Sequence, residues 1–198
     1  MPQARARRPR RGAPEDTRAR LIEAALKTFN DVGYHGTDSN RLARAAGYAP
    51  GTFYRHFPDK KAIFLAAYAA RVDREWTQID ERIQRAATDA ALARAVVGFV
   101  VAHHKKWRGL RAGLRSLAVV DRDARAFLAA QRRAQLGRIE AVRRARGLPP
   151  RATEDHALLL LVLERVADAI AEGEFADLGL SERAAVRALE RFLMGELR

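Results

Sequence analysis

TDSNRLARAAGYAPGTFYRHFPDKK, running from Thr37 to Lys61, decides how this chain is read. Leu42, Ala43 and Ala46 give its opening residues a single apolar side. Gly47 is placed to end a short helix there, because glycine enters the left-handed region at little steric cost. Pro50 suits the first turn of a second helix, where its missing N–H has no partner to lose. Phe53 and Phe57 lie four residues apart and so share one face. At about 100° per residue the opposite face holds Gly51, Thr52 and Arg55, flanked by Tyr54 and His56. The pattern predicts a buried aromatic side and a small, polar, basic exposed side. Two short helices joined by a glycine-containing turn form a helix-turn-helix, and the second has what is needed to enter a DNA major groove.

The charge distribution agrees. The chain has 198 residues and a net charge of +13. Residues 1–61 hold 13 basic and 6 acidic side chains, a surplus of seven, while residues 62–198 add six over more than twice the length. Basicity concentrated around a helix-turn-helix is the footprint of a polyanion binder. Residues 1–14, with five arginines and three prolines, read as a disordered basic arm, either reaching a minor groove or forming a solvated tail. No 18-residue apolar run suggests a membrane span and no apolar core follows the charged start, so no secretory signal is read. Cysteine is absent, which excludes disulfides. A cytoplasmic, nucleoid-associated location is the expectation.

Helical periodicity continues on both sides of the quoted stretch. Leu21, Ile22, Ala25, Leu26 and Phe29 form a stripe in a first helix that starts near Asp16 or Thr17 and ends at Gly33. Thr37 or Asp38 caps the next helix, and the recognition helix is predicted over about Pro50 to Phe57. After Pro58-Asp59, Leu65, Tyr68, Val72, Trp76, Ile79 and Ile83 mark one long amphipathic helix. Further helices are expected from Thr88-Asp89, between Gly109 and Val120, from Asp121 or Asp123 to Arg146, from Thr153 to Ala171, and after Ser181. Gly173 to Gly179 reads as a loop. The fold class is all-α: an N-terminal three-helix domain over 15–61, with its motif at 38–57, then a helical domain over 62–198 for ligand binding and dimerisation.

Gly33-Tyr34, Gly36-Thr37, Leu42-Ala43, Ala46-Gly47, Gly51-Thr52, Tyr54, Phe57 and Lys60 fall in the order and spacing of the TetR family of transcriptional regulators, and residues 15–65 resemble that family specifically. Three positions depart from its pattern. Ala49 stands where Ser or Thr usually caps the recognition helix, Pro50 where Lys or Arg is frequent, and Asp38-Ser39 where Thr and Val are usual. By resemblance, Ser39, Asn40, Pro50, Gly51, Thr52, Tyr54, Arg55, His56 and Lys60 match DNA-facing positions; Arg44, exposed on the preceding helix, is added from the pattern. Tyr54, His56 and Lys60 suit phosphates, whereas Thr52 and Arg55 suit base edges.

The family also implies a small-ligand pocket among the later helices. Phe99, His103 and Trp107, at i, i+4 and i+8, either line such a pocket or pack in the core. The ligand implied is small and apolar or amphipathic. Adjacent His103 and His104 point about 100° apart, which reads as one partly buried and one exposed side chain rather than a metal pair. Glu164 and Asp168 read as a charged side at the bundle's edge. No nucleophile motif, glycine-rich phosphate loop or metal cluster occurs, so no enzyme, metal or cofactor is expected.

Residues 158–163, LLLLVL, are apolar on every side and need cover all round. The helix after Ser181 carries its own stripe of Val186, Leu189, Leu193 and Leu197, and one chain has too few helices to cover both, so the expectation is a homodimer through Leu159, Val162, Val166, Leu189 and Leu193. The two-fold would set two recognition helices on a near-palindromic operator in double-stranded DNA. The function expected is a sequence-specific transcriptional regulator, in this family most often a repressor, released by a small molecule. The alternative is a sequence-tolerant architectural DNA binder. A ligand carrier or enzyme with an incidental basic end leaves residues 37–61 without a role.

Overall fold

A computed structural model describes residues 14–197. The expected basic arm therefore lies, apart from Pro14, outside the described residues. Ten helices account for the described secondary structure, with no strand among these residues: α1 Pro14–Val32, α2 Ser39–Ala45, α3 Pro50–Tyr54, α4 Lys60–Arg85, α5 Asp89–Lys106, α6 Arg108–Val120, α7 Arg122–Ala145, α8 Thr153–Glu172, α9 Glu174–Asp177 and α10 Glu182–Glu196. Five of the ten described starts carry a side-chain cap that the sequence supplies. Asp38, Thr88, Asp121 and Ser181 accept hydrogen bonds from the backbone N–H three residues on. Asp59 does the same for Ala62 at 2.7 Å. Ala49 caps nothing, as its apolar side chain requires.

The chain forms two compact units that divide between Asp73 and Arg74, inside the unbroken helix α4. The division lies past the boundary expected at 61/62, and the first turns of α4 explain why. Ile63, Phe64 and Ala67 are fully buried, and Phe64 meets Phe29 of α1 edge-on, with ring centroids 4.9 Å apart and planes at 86°. Tyr34 packs on Phe64 at 5.0 Å. The T-shaped arrangement aims the positive ring edge at the negative face.

Two predicted boundaries move. α3 ends at Tyr54 rather than Phe57, and Arg55 and His56 form a turn in which the His56 N–H donates to the Phe53 carbonyl. Phe57 still reaches the core, because its own N–H also returns to the Phe53 carbonyl and keeps both rings on one side. The loop expected over 173–179 contains the one-turn helix α9. Gly109 and Gly113 do not interrupt α6, which is continuous around them.

In the second unit, α5 is central. Its Ala93, Val97 and Val101 share one core cluster with Leu159, Leu163, Ala167 and Ile170 of α8 and with Ala185, Leu189 and Leu193 of α10. The α7 stripe of Phe127, Leu128, Leu136, Ile139 and Val142 is only half-buried. Arginine side chains close several helix ends. Arg125 donates to the Ala118 and Val119 carbonyls at 3.0 and 2.8 Å, and Arg146 donates to Ile83 and Ala86 at the end of α4. These contacts satisfy carbonyls that a helix end leaves without partners.

Gly36 fixes the turn between α1 and α2. A Cβ built there would lie 2.1 Å from the Val32 carbonyl oxygen and 3.1 Å from the Val32 Cβ, and backbone cannot swing aside as a flexible side chain can. Gly36→Ala should destabilise the first unit by about 1–3 kcal/mol, the usual range for forced overpacking. Urea denaturation followed by circular dichroism measures this; an unchanged midpoint would show that the turn accepts a side chain.

Candidate nucleic-acid interface

α2 and α3, of seven and five residues, take their positions from what they bury. Leu42 and Ala43 of α2 and Phe53 of α3 are fully buried, and Phe57 is nearly so. Gly47 links the helices at φ +79°, inside the left-handed region. Its N–H donates to the Arg44 carbonyl, and the Tyr48 N–H donates to Ala43, so the turn closes on the end of α2. Arg18 of α1 lies over the Phe57 ring at 5.0 Å.

With Phe53 held inward, the other residues of α3 turn outward. Pro50, Gly51 and Arg55 are exposed, Tyr54 is 54% exposed, and Thr52 and His56 are half-exposed. Arg55 donates through Nη2 to Thr52 Oγ1 at 3.3 Å, which joins the two predicted base-reading side chains on one surface. On α2, Asn40 and Arg44 are exposed and Ser39 is half-buried. At the N-cap, Asp38 Oδ1 accepts from the Arg41 N–H at 2.8 Å, and this bond holds the Asp38 carboxyl below its ordinary value.

Lys60 is placed differently from a freely extended phosphate contact. Its Nζ donates to the Tyr34 and Thr37 carbonyls, both at 3.0 Å, and sits 4.3 Å from the centre of the Tyr34 ring. It fastens the α1–α2 turn to the start of α4. An ammonium has three donors, so one beyond these two bonds is left.

The second unit rearranges several sequence expectations. Phe99 and His103 do come together, stacked at 3.9 Å and 23°, and His103 Nδ1 lies 2.7 Å from Glu75 Oε1. Trp107 stands apart as the residue joining α5 to α6, beside Lys106. Of the adjacent histidines, expected as one partly buried and one exposed, His104 is buried and His103 half-buried, so neither is exposed. Asp168 is likewise buried rather than at the bundle's edge. Its Oδ1 accepts from Arg111 Nε at 2.9 Å and lies 2.8 Å from His104 Nδ1. Its Oδ2 accepts from Arg111 Nη2 at 3.2 Å and from Arg115 Nη1. Glu164 pairs with Arg132, and Arg165 with Glu174. One sequence signal pointed to this cluster: Arg111 adjoins Leu110 and Leu114 on the apolar side of α6, a position an unpaired charge does not occupy.

Leu159, Leu189 and Leu193, expected at a dimer interface, lie in the core of their own chain, and Val162 and Val166 pack against that core partly buried. α5 of the same chain packs against the sides of α8 and α10 that these residues occupy. The apolar side chains left outward are Leu158 at 62% exposure, Leu161 at 45% and Phe192 at 38%. No described helix is long and apolar enough to cross a membrane.

Residues 21–67 match the family described as bacterial regulatory proteins, tetR family. The Fatty acid metabolism regulator protein of Bacillus subtilis is 29% identical over 100 residues, 50% of this chain and 48% of the relative. The HTH-type transcriptional repressor AcnR of Corynebacterium efficiens is 38% identical over 53 residues, 27% of this chain and 28% of the relative. The chain thus spans about half or less of the length of the curated relatives it matches. In overall fold it is similar to the transcriptional regulator FadR from Bacillus subtilis in complex with stearoyl-CoA, with a TM-score of 0.69 and 17% identity over 91% of this chain and 99% of that one.

The charge cluster carries its own pH dependence. Burial pushes the Asp168 carboxyl up, but hydrogen bonds from His104 and Arg111 outweigh it and hold the group below the carboxylate range. Burial pushes His104 down from its ordinary 6.5, and Asp168 only partly restores it. In the unfolded chain His104 takes a proton below 6.5 that it resists in the fold, so stability declines as pH falls past that value. The contribution of Asp168 fades below about 4, where the unfolded carboxylate protonates. Asp168→Asn leaves Arg111 without its counter-charge and should cost about 3–5 kcal/mol at pH 7. Calorimetry of the wild type between pH 7 and 5 and of the variant at pH 7 tests both; equal melting across that range, or in the variant, contradicts this account.

Proposed function

The chain belongs to the tetR family of bacterial regulatory proteins, and from that premise we propose that it is a sequence-specific DNA-binding transcriptional regulator, a repressor that a small molecule releases. The observation that carries the reading is the division of α3 between a buried aromatic side, Phe53 with Phe57, and an outward face of Gly51, Thr52, Tyr54 and Arg55. An architectural binder needs basicity but not a helix with so detailed an outer face. Ser39, Asn40, Arg44, Pro50 and His56 complete the DNA-facing set. Tyr54 supplies a hydroxyl to phosphate, and Arg55 with Thr52 reads bases.

The protein works as a homodimer on a near-palindromic operator, in the cytoplasm and on the nucleoid. Leu158 and Leu161 support the dimer, because they lie three residues apart on one side of α8 and are exposed although apolar. A two-fold partner would cover them and place two recognition helices roughly 34 Å apart. The ligand is small and apolar or amphipathic; the stearoyl-CoA complex of a protein of similar fold supports this class. Continuous α4 offers a route by which ligand binding and DNA affinity become linked.

Selection of bound fragments from random DNA, followed by competition at fixed salt, tests the proposal. A specific site should win by about 10³–10⁷ over random DNA, and a ratio near one would favour the architectural alternative. Arg55→Ala should cost about 1–3 kcal/mol at one base position and relax its preference, whereas Tyr54→Phe should weaken all sequences alike. Leu161→Asp should yield monomers in sedimentation and remove most operator affinity while the chain stays folded, since this position is outside the core. A wild type that sediments as a monomer at micromolar concentration contradicts the dimer.

A further inference from the structure

Between the end of α7 and the start of α8 lies a cavity of about 280 Å³. Its wall includes Glu140, Arg143, Arg144, Gly147, Arg151 and His156. Phe99, His103 and Trp107 do not contribute to it. Its size sits at the lower end of ligand sites, with room for a small polar molecule and not for a long acyl chain.

Two groups in this wall lack what burial demands. His156 is 6% exposed, and its Nε2 has no hydrogen-bond partner. Arg143 is also 6% exposed, and its Nε has none. The rest of the Arg143 guanidinium donates to the Glu196 carbonyl at 2.7 Å and to the Pro149 carbonyl at 2.9 Å. Both acceptors are neutral, so this buried cation has no carboxylate bonded to it. An unpaired buried charge is costly. The neighbouring cations are matched: Arg144 holds Glu140 at 2.5 Å, and Arg151 holds the Glu196 carboxylate. α8 begins here without a side-chain cap, at Ala152. Its first-turn N–H groups and positive dipole end favour a nearby anion.

We propose that this cavity binds a small oxyanion, a carboxylate or phosphate group, bonded by Arg143 Nε–H and His156 Nε2–H. Each donor lacks an acceptor, and an oxyanion supplies several. A neutral ligand or solvent would leave the Arg143 charge unmatched. Because Arg143 also grips the Glu196 carbonyl, occupancy is linked to the end of α10. The site is separate from the apolar or amphipathic ligand of the proposed regulator and stands without it.

The test uses the full chain and two probes, inorganic phosphate and acetate. The basic first unit also attracts anions, so the readout must be local: the side-chain ring signals of His156, assigned by their loss in His156→Gln. Either probe should move these signals saturably below about 10 mM. Competition between the probes identifies the preferred group. His156→Gln should weaken binding, read by titration calorimetry, roughly tenfold or more, as loss of a hydrogen bond to a charged partner does. Arg144→Gln changes an exposed side chain and keeps the fold; it should weaken binding severalfold, because it leaves the Glu140 carboxylate in the cavity wall without its matching cation. Ring signals that fail to saturate with either probe overturn the proposal. So does binding of unchanged strength in Arg144→Gln, which stands as the deciding variant should His156→Gln not fold.

Discussion

A helix of five residues has little more than one turn and no stability of its own. α3 is such a helix, and it lacks even a capping side chain. Its direction depends on the full burial of Phe53, with Phe57 carried on the following turn. Everything that this unit presents outward follows from that anchoring. With the two rings inward, Gly51, Thr52, Tyr54 and Arg55 have nowhere to point but out. The ring packing of Phe29, Tyr34 and Phe64 supplies the rigid base. Lys60 ties the base to the α1–α2 turn by two carbonyl contacts and one ring contact. A side chain that family resemblance assigns to DNA thus also secures the fold beneath the DNA-facing helix.

The second unit is organised around a different constraint, buried charge. Asp168 satisfies two guanidiniums and a histidine on α5 and α6 from a single turn of α8. Removing Asp168 leaves the buried Arg111 and His104 to bear the desolvation cost without its carboxylate. Arg143 shows the opposite arrangement: a buried cation whose bonded partners are neutral carbonyls. One cluster is electrostatically complete and the other is not. The first therefore reads as structure, and the second as a place prepared for an anion.

Helical content and the aromatic side of α3 were legible from local pattern, because side-chain spacing on a helix fixes direction whatever surrounds it. Caps were legible for the same reason: Asp38, Thr88, Asp121 and Ser181 act on N–H groups three residues away. The early end of α3 was not, since the choice between another helical turn and a tight one is made by where Phe57 must pack. That Leu193 is buried within its own chain was not legible, because an apolar stripe states only that something covers it. That α5 is the cover is a fact about chain path.

What the sequence determined by itself is short-range chemistry: an all-α chain, a helix-turn-helix with a polar basic outer face, and a concentration of positive charge at one end. These follow from periodicity, turn residues and composition, each confined to a few neighbouring residues. Tertiary structure alone decided which charges are buried and with whom. His104, Arg111 and Asp168 lie up to 64 residues apart, and Arg143 meets Glu196 across 53. Solvation energy depends on what surrounds a group in space, and no spacing along the chain encodes that.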